Sequence, residues 1–395
     1  MKRTRFVSSF LSVMLAAAML GGCGGQATNS SGGETAAGGD NAGSGASGEI
    51  HAKIGVVSFL SGSGAAYGEA QKAGLELALE ELNAANQGKL KIELIFEDSG
   101  GKKESAINAV NKLINQDNVV AIIGPTLSSE MFAAAPVANE AETPIFGIST
   151  TAEGINDIGE YVFRNSLPES IAIPTAMKKA VEKLNIKSAA FMYAANDDFS
   201  VSGFETMKKT AEELGLENKG ELTFAIGDVD FSAQLTKIKQ LNPDALLISG
   251  LYKEGSMIVQ KARELGIQST IIGGNGFNNP QVFAIAGEAA EGLIVATPFS
   301  PERQDEKVQA FVKAFEAKYG KQPDQFAAQA YDALYIMSQS LLKAGEADRN
   351  KLRDALAELK DFNGVSGKLS FDENRNPIGE AVVVVAKGGK YVPFE

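Results

Sequence analysis

The chain has 395 residues, with 37 Lys and Arg against 49 Asp and Glu, a formal net charge of −12. That acidity excludes a nucleic-acid-binding surface and an electrostatic membrane-binding face. A single cysteine, Cys23, and a single histidine, His51, exclude disulfide staples, thiolate or imidazole metal sites, and Ser-His or Cys-His catalytic pairs.

Lys2, Arg3 and Arg5 precede a mostly apolar run from Phe6 to Leu20. At about fifteen residues it has the length of a signal-peptide core and is too short to span a bilayer comfortably. Leu20-Gly21-Gly22 then lead directly into Cys23. This order resembles a bacterial lipoprotein signal. The resemblance implies cleavage after residue 22, diacylation of the Cys23 thiol and a mature net charge of about −15. Residues 24–50 are nearly all Gly, Ala, Ser, Thr and Asn, with no large apolar side chain before Ile50. Such a segment cannot bury enough surface to offset its ordering entropy. Residues 23–51 therefore read as a lipidated cysteine and a flexible tether, with an r.m.s. reach of roughly 30 Å.

From His51 onward about 345 residues remain, enough for two lobes. Strands are expected at Lys53–Phe59, Lys91–Glu97, Val119–Ile123 and Pro144–Ile148. Helices are expected at Tyr67–Ala85, Lys103–Gln116 and Ser129–Ala141. In the second of these Ile107, Val110, Leu113 and Ile114 make one apolar stripe. The strands are continuous apolar runs, the pattern of strands buried on both faces of a parallel sheet. A second series follows, with strands at Ala189–Tyr193, Glu221–Ala225, Ala245–Ser249, Thr270–Gly273 and Leu293–Ala296. Its helices are Val201–Leu214, Phe231–Gln240 and Glu254–Leu265. The last third adds helices at Asp305–Tyr319, Phe326–Ala344 and Arg349–Glu358 and a strand at Ala381–Ala386. Repeated βα units predict an α/β fold of two doubly wound parallel-sheet lobes with a cleft between them.

Gly62-Ser63-Gly64-Ala65-Ala66-Tyr67-Gly68 follows a strand and opens a helix. Its spacing is one residue too long for a dinucleotide fingerprint. The nearest acidic strand-end residues, Glu97 and Asp98, come about thirty residues on rather than about twenty. Glycines of a βα turn explain it better. Asp197-Asp198 and Asp228 with Asp230 leave carboxylate-only hydrolysis open, although acidic loop residues are usually just solvated. Two loops are rich in hydroxyls: Gly124-Pro125-Thr126-Leu127-Ser128-Ser129 and Ile148-Ser149-Thr150-Thr151. Ser128 or Ser129 alone could simply cap a helix. Together the loops place hydroxyls and backbone N–H groups at one sheet edge, an arrangement suited to a small carboxylate.

The segments IGVVSFLSGSGAAYGE, VVAIIGPTLSSEMFAAAPVANEAETPIFGISTTA, DVDFSAQLTKIKQLNPDALLISG, AAQAYDALYI and NGVSGKLSFDENRNP together resemble the leucine/isoleucine/valine-binding proteins, the type I periplasmic solute-binding components of ABC transporters. The resemblance implies a multi-strand hinge between lobes at 52–166 plus 299–364 and at 167–298 plus 365–395. It implies that Ser128 binds a ligand carboxylate through its hydroxyl and backbone, and that Ser149 offers backbone groups with its carbonyl facing the ligand amine. It implies that Thr151 adds a backbone N–H and hydroxyl with Thr150 beside it, and that Tyr67, Phe326, Phe199, Leu251 and Tyr252 surround the ligand side chain. Where amino-acid binders of this family carry an acidic partner for the ligand ammonium, this chain has Asn275. Either Asp198 or Glu254 then supplies the charge, or the ligand is an amide, urea or aromatic or organic acid.

The reading that follows is a monomeric, extracytoplasmic, lipid-anchored binding protein, not an enzyme, without cofactor or metal. It would take a small amino acid, most simply a branched-chain one. Hinge closure would deliver that ligand to a permease driven by a separate ATPase, since this chain has no Walker loop. A sensory ligand-binding module and a secreted hydrolase are the rival readings.

Overall fold

The structure, a computed structural model, describes residues 48–395. The expected signal segment, Cys23 and nearly all of the expected tether lie outside the described residues. The first βα series runs β1 (Ile50–Ser58), α1 (Ala65–Ala85), β2 (Leu90–Asp98), α2 (Lys103–Asn115), β3 (Ala121–Ile123), α3 (Ser128–Glu140), β4 (Ile145–Gly147) and β5 (Val162–Arg164). β1 starts earlier than its apolar core suggests. Backbone pairing with β2 draws in Ile50 and the exposed His51, which lies opposite Lys91.

The five strands are parallel in the order β2-β1-β3-β4-β5. Alternate side chains reach opposite faces, as a strand requires. Ile54 and Val56 join one core, while Val57 joins another with Val110 and Leu113 of α2 and Met131 of α3. In α2 the buried stripe includes Ala106 and Ala109, and Ile107 is only partly covered. A Cβ at Gly68 would lie 2.3 Å from the Phe59 carbonyl oxygen. The glycine lets α1 approach the end of β1, which accounts for part of the Gly-rich loop without a nucleotide.

The second series runs α4 (Glu169–Leu184), β6 (Ser188–Ala194), α5 (Asp198–Glu213), β7 (Glu217–Phe224), α6 (Ser232–Leu241), β8 (Ala245–Ser249), α7 (Tyr252–Glu264), β9 (Thr270–Gly273), α8 (Gln281–Ala286) and β10 (Ile294–Thr297). β7, β6, β8, β9 and β10 are parallel and adjacent in that order. Leu246 and Ile248 of β8 face a core with α6 and α7, and Leu247 faces one with α4 and α5.

The chain then supplies α9 (Glu306–Tyr319), α10 (Gln325–Ala344), α11 (Arg349–Ala357), β11 (Phe362–Gly364), β12 (Gly367–Phe371), β13 (Pro377–Ile378), β14 (Val382–Lys387) and β15 (Lys390–Pro393). α10 packs on α1 so closely that a Cβ at Gly74 would lie 2.1 Å from the Ala327 carbonyl oxygen. β14 and β15 extend the second sheet as an antiparallel edge, so that sheet is mixed rather than wholly parallel. β11–β13 form a small separate sheet, and Phe371 packs beside Phe146 and Phe163 of the first lobe.

The chain passes between the two large sheets after β5, after β10 and before β14, which makes the hinge multi-stranded. Both large sheets reverse their strand order beside their first strand, between β1 and β3 and between β6 and β8. Loops leaving such neighbours diverge and open a crevice at the carboxyl ends of the strands. Among the described residues no helix is long and apolar enough to cross a membrane.

Candidate functional site

The two crevices face each other. From the first come Thr126, Leu127 and Ser128 after β3, and Ser149 after β4. From the second come Phe199 in the first turn of α5, Leu251 ahead of α7, and Asn275 and Gly276 after β9. Tyr67 and Phe326, from the first turns of α1 and α10, complete the wall of a cavity of about 20 Å³. That is room for about one water, so the lobes are closed. The structure thus gathers Tyr67, Ser128, Ser149, Phe199, Leu251, Asn275 and Phe326, and adds Thr126, Leu127 and Gly276, which the sequence reading missed.

Ser128 is not a helix cap. It is the first residue of α3, and the Leu127 N–H donates instead to Glu130 Oε2 at 2.9 Å. The Ser128 hydroxyl accepts from the Ala152 N–H at 3.2 Å, joining the two hydroxyl-rich loops. Amides in the first turn of a helix have no intrahelical acceptor, so α3 presents N–H groups and a hydroxyl together. Gln71, one turn after Tyr67 on α1, organises the other hydroxyls. Its Oε1 accepts from Ser58 Oγ at 3.0 Å and Thr126 Oγ1 at 2.7 Å, and its Nε2 donates to Ser149 Oγ at 2.8 Å. A buried amide on an apolar helix face was the sequence signal for it.

Thr150, Thr151 and Tyr252 are not among the walls of this small cavity. Buried Arg164 donates to the Thr150 and Ala152 carbonyls at 3.0 and 2.6 Å. The Thr150 hydroxyl packs against Gly147. The Thr150 and Thr151 hydroxyls are buried without a hydrogen-bond partner. Burial pulls the Arg164 guanidinium down to about 10, still charged at neutral pH. Tyr252 opens α7, and its hydroxyl donates to the Ser63 carbonyl at 2.9 Å across the lobes.

Tyr67 is the main tie between the lobes. Its hydroxyl donates to the Gly276 carbonyl at 2.7 Å and accepts from the Tyr252 N–H at 2.8 Å. Its ring meets Tyr252 edge-on at 4.9 Å and tilts against Phe326 at 4.7 Å. At the rim Lys103 pairs with Asp198 at 2.7 Å.

Two charge partners suggested by the sequence are engaged elsewhere. Asp198 holds Lys103, and buried Glu254 accepts from the Gly227 N–H at 3.1 Å. A carboxyl the sequence reading passed over lies behind Asn275 instead. Glu169, fully buried at the start of α4, accepts from the Asn275 N–H at 3.0 Å through Oε1 and leaves Oε2 unpartnered. Burial lifts it to about 8, and lifts Glu130 to about 7. The Asn275 side chain itself accepts from Gln325 Nε2.

A family model described as "Periplasmic binding protein" matches residues 51–390. The chain belongs to the periplasmic binding protein family. Among the relatives of this binding protein is a leucine-, isoleucine-, valine-, threonine- and alanine-binding protein of Pseudomonas aeruginosa. It is 29% identical over 323 residues, covering 81% of this chain and 86% of the relative. A branched-chain amino acid transporter substrate-binding protein from Streptococcus pneumoniae, solved with isoleucine, has a TM-score of 0.80 and 32% identity over 86% of this chain and 97% of that one. A solute-binding protein of an ABC transporter from Rhodopseudomonas palustris, solved with benzoate, has a TM-score of 0.80 and 26% identity over 87% and 95%. The fold is that of the type I periplasmic binding proteins.

Proposed function

We propose that this protein is the extracytoplasmic ligand-binding component of an ABC importer and takes a small amino acid of branched-chain type in the interlobe cleft. The observation that carries the reading is the mixed lining of the cavity, hydroxyls and free amides together with apolar side chains. Ser128, Ser149 and the first-turn amides of α3 come from the first crevice and Phe199 and Leu251 from the second, with Phe326 at the start of α10. A carboxylate joined to an apolar side chain matches that mixture. The relatives from P. aeruginosa and S. pneumoniae support the ligand class.

A cavity of about 20 Å³ does not admit an amino acid, so the lobes open to load and close again over the ligand less tightly than in this structure. The ligand shifts this equilibrium by binding the closed form better. The closed form then docks on a permease driven by a separate ATPase. The Cys23 signal supports lipid anchoring, and a Cys23→Ser variant is expected to be released in soluble form with ligand affinity unchanged, checked by cell fractionation and calorimetry.

Titration calorimetry with leucine, isoleucine and valine tests the ligand class directly. Ser128→Ala should weaken binding about 10- to 150-fold, the value of a hydrogen bond to a charged group. Thr151→Ala, at a residue outside the walls of the closed cavity, should change it less than about twofold. Equal effects would reject the proposed carboxylate cradle.

Asn275 favours a second reading in the same cleft, an aromatic or organic acid without an ammonium group, as the R. palustris protein holds benzoate. Asn275→Asp separates the two. Tighter binding of a branched-chain amino acid, by about tenfold, supports an ammonium at that end. A gain for no amino acid together with loss of benzoate binding supports the acid.

A further inference from the structure

A cavity larger than the cleft, with mostly apolar walls, lies beside the hinge. It has a volume of about 320 Å³, against about 20 Å³ between the crevices. Phe283 of α8, Val384 of β14 and Tyr391 of β15 form its second-lobe side. Pro323 and Gln325, at the entry to α10, form its first-lobe side. Phe299, on the connection that follows β10, completes it. Its walls therefore come from both lobes and from one of the chain crossings.

The polar groups on these walls are largely engaged. Tyr391 Oη donates to the Phe277 carbonyl at 2.8 Å, and Asn278 Nδ2 to the Ala296 carbonyl at 2.9 Å. Charges come in opposite pairs. Lys390 meets Glu302 at 3.0 Å, and Lys321 offsets Asp324. Such walls offer apolar contact and no net charge, so they select an uncharged ligand. A cavity of roughly 150 Å³ holds benzene, and this one is about twice that size.

Gln325 lies on the wall and also bonds to a residue of the cleft. Its Oε1 accepts from Thr297 Oγ1 at 2.8 Å, and its Nε2 donates to Asn275 Oδ1. Asn275 lines the cleft cavity. One side chain on the wall of this cavity thus bonds to a residue on the wall of the cleft.

We infer that this cavity is a second binding site, for an uncharged two-ring aromatic molecule, and that its occupation shifts the balance between open and closed lobes. A ligand held by walls from both lobes has different contacts in the two states, which is the condition for coupling. The inference does not depend on which molecule the cleft takes.

Indole is the probe, titrated by calorimetry into the soluble chain in the absence of any cleft ligand. One molecule should bind per chain. Ser300→Phe, which fills the cavity from its wall, should weaken binding at least tenfold. Small-angle scattering should show a changed radius of gyration on adding indole to the native chain and none for Ser300→Phe. Absence of binding, unchanged binding in Ser300→Phe, or binding without a change in scattering would each overturn the inference. Should Ser300→Phe fail to fold, native crystals soaked in indole decide the matter. Indole between Phe283, Phe299 and Tyr391 supports the site, and indole only in the cleft or nowhere refutes it.

Discussion

A Tyr67→Phe variant is expected to bind its cleft ligand about 5- to 150-fold more weakly than the native protein. The Tyr67 hydroxyl satisfies the Gly276 carbonyl and the Tyr252 N–H, both on the opposite lobe. In an open form water can serve these groups, and in the closed form only the hydroxyl reaches them. Leaving one such buried group unpaired costs about 1–3 kcal/mol, and the whole cost falls on the closed state. Affinity drops in proportion to the closed population. The ring remains, so its contacts with Tyr252 and Phe326 are retained. Calorimetry reads the affinity, and small-angle scattering should show the ligand-free variant shifted toward open lobes. Native affinity together with native scattering would mean that closure does not depend on this tie.

Stability should fall as pH rises from about 4.5 toward 8, and Glu169→Gln should remove much of that fall. The carboxyls of Glu169 and Glu130 are buried, and burial lifts them from 4.5 to about 8 and about 7. Between the two values the folded chain still holds a proton that the unfolded chain has lost. The unfolded state then binds fewer protons, so the stability derivative with pH is negative. Each such group can contribute a slope of up to about 1.4 kcal/mol per pH unit. The penalty is absent below pH 4.5 and complete above each raised value. Glutamine keeps an oxygen for the Asn275 N–H and never ionises. The variant should therefore match the native protein near pH 4.5 and exceed it at pH 8–9, as measured by urea midpoints across the range. Parallel curves for the two proteins would show that Glu169 ionises without penalty.

Much of the architecture was legible because strands and helices are set by spacing over a few residues. Apolar runs marked β3, β6, β8 and β9, and periodicity marked α1, α2, α9 and α10. Elements without a strong local pattern were missed. α4 contains Pro174, and β5, β11, β13 and β15 are short. β15 takes its hydrogen bonds from β14, a partner that composition does not announce.

The cleft divides in the same way. The hydroxyls of Ser128 and Ser149 could be placed at one sheet edge from sequence, since each follows an apolar strand by a few residues. Their neighbours Thr150 and Thr151 have the same chemistry and nearly the same position, yet they are not among the cavity walls, and Arg164 holds the Thr150 and Ala152 carbonyls of that stretch. Adjacent side chains point in different directions, and which of them faces a cleft depends on the path of the loop. Gln71 gained its role from the hydroxyls folded around it, and Glu169 from the Asn275 N–H, 106 positions away.

Local spacing and residue chemistry were thus sufficient for the βα order, the acidic surface, the hydroxyl-rich loops and the neutral Asn275. Long-range packing settled which hydroxyls face the cavity, where a buried carboxyl answers Asn275, and how the lobes are tied. The reason is one of distance along the chain. Tyr67 reaches its partners over 209 and 185 positions, and a contact of that span exists only after both sheets have brought their crevices face to face.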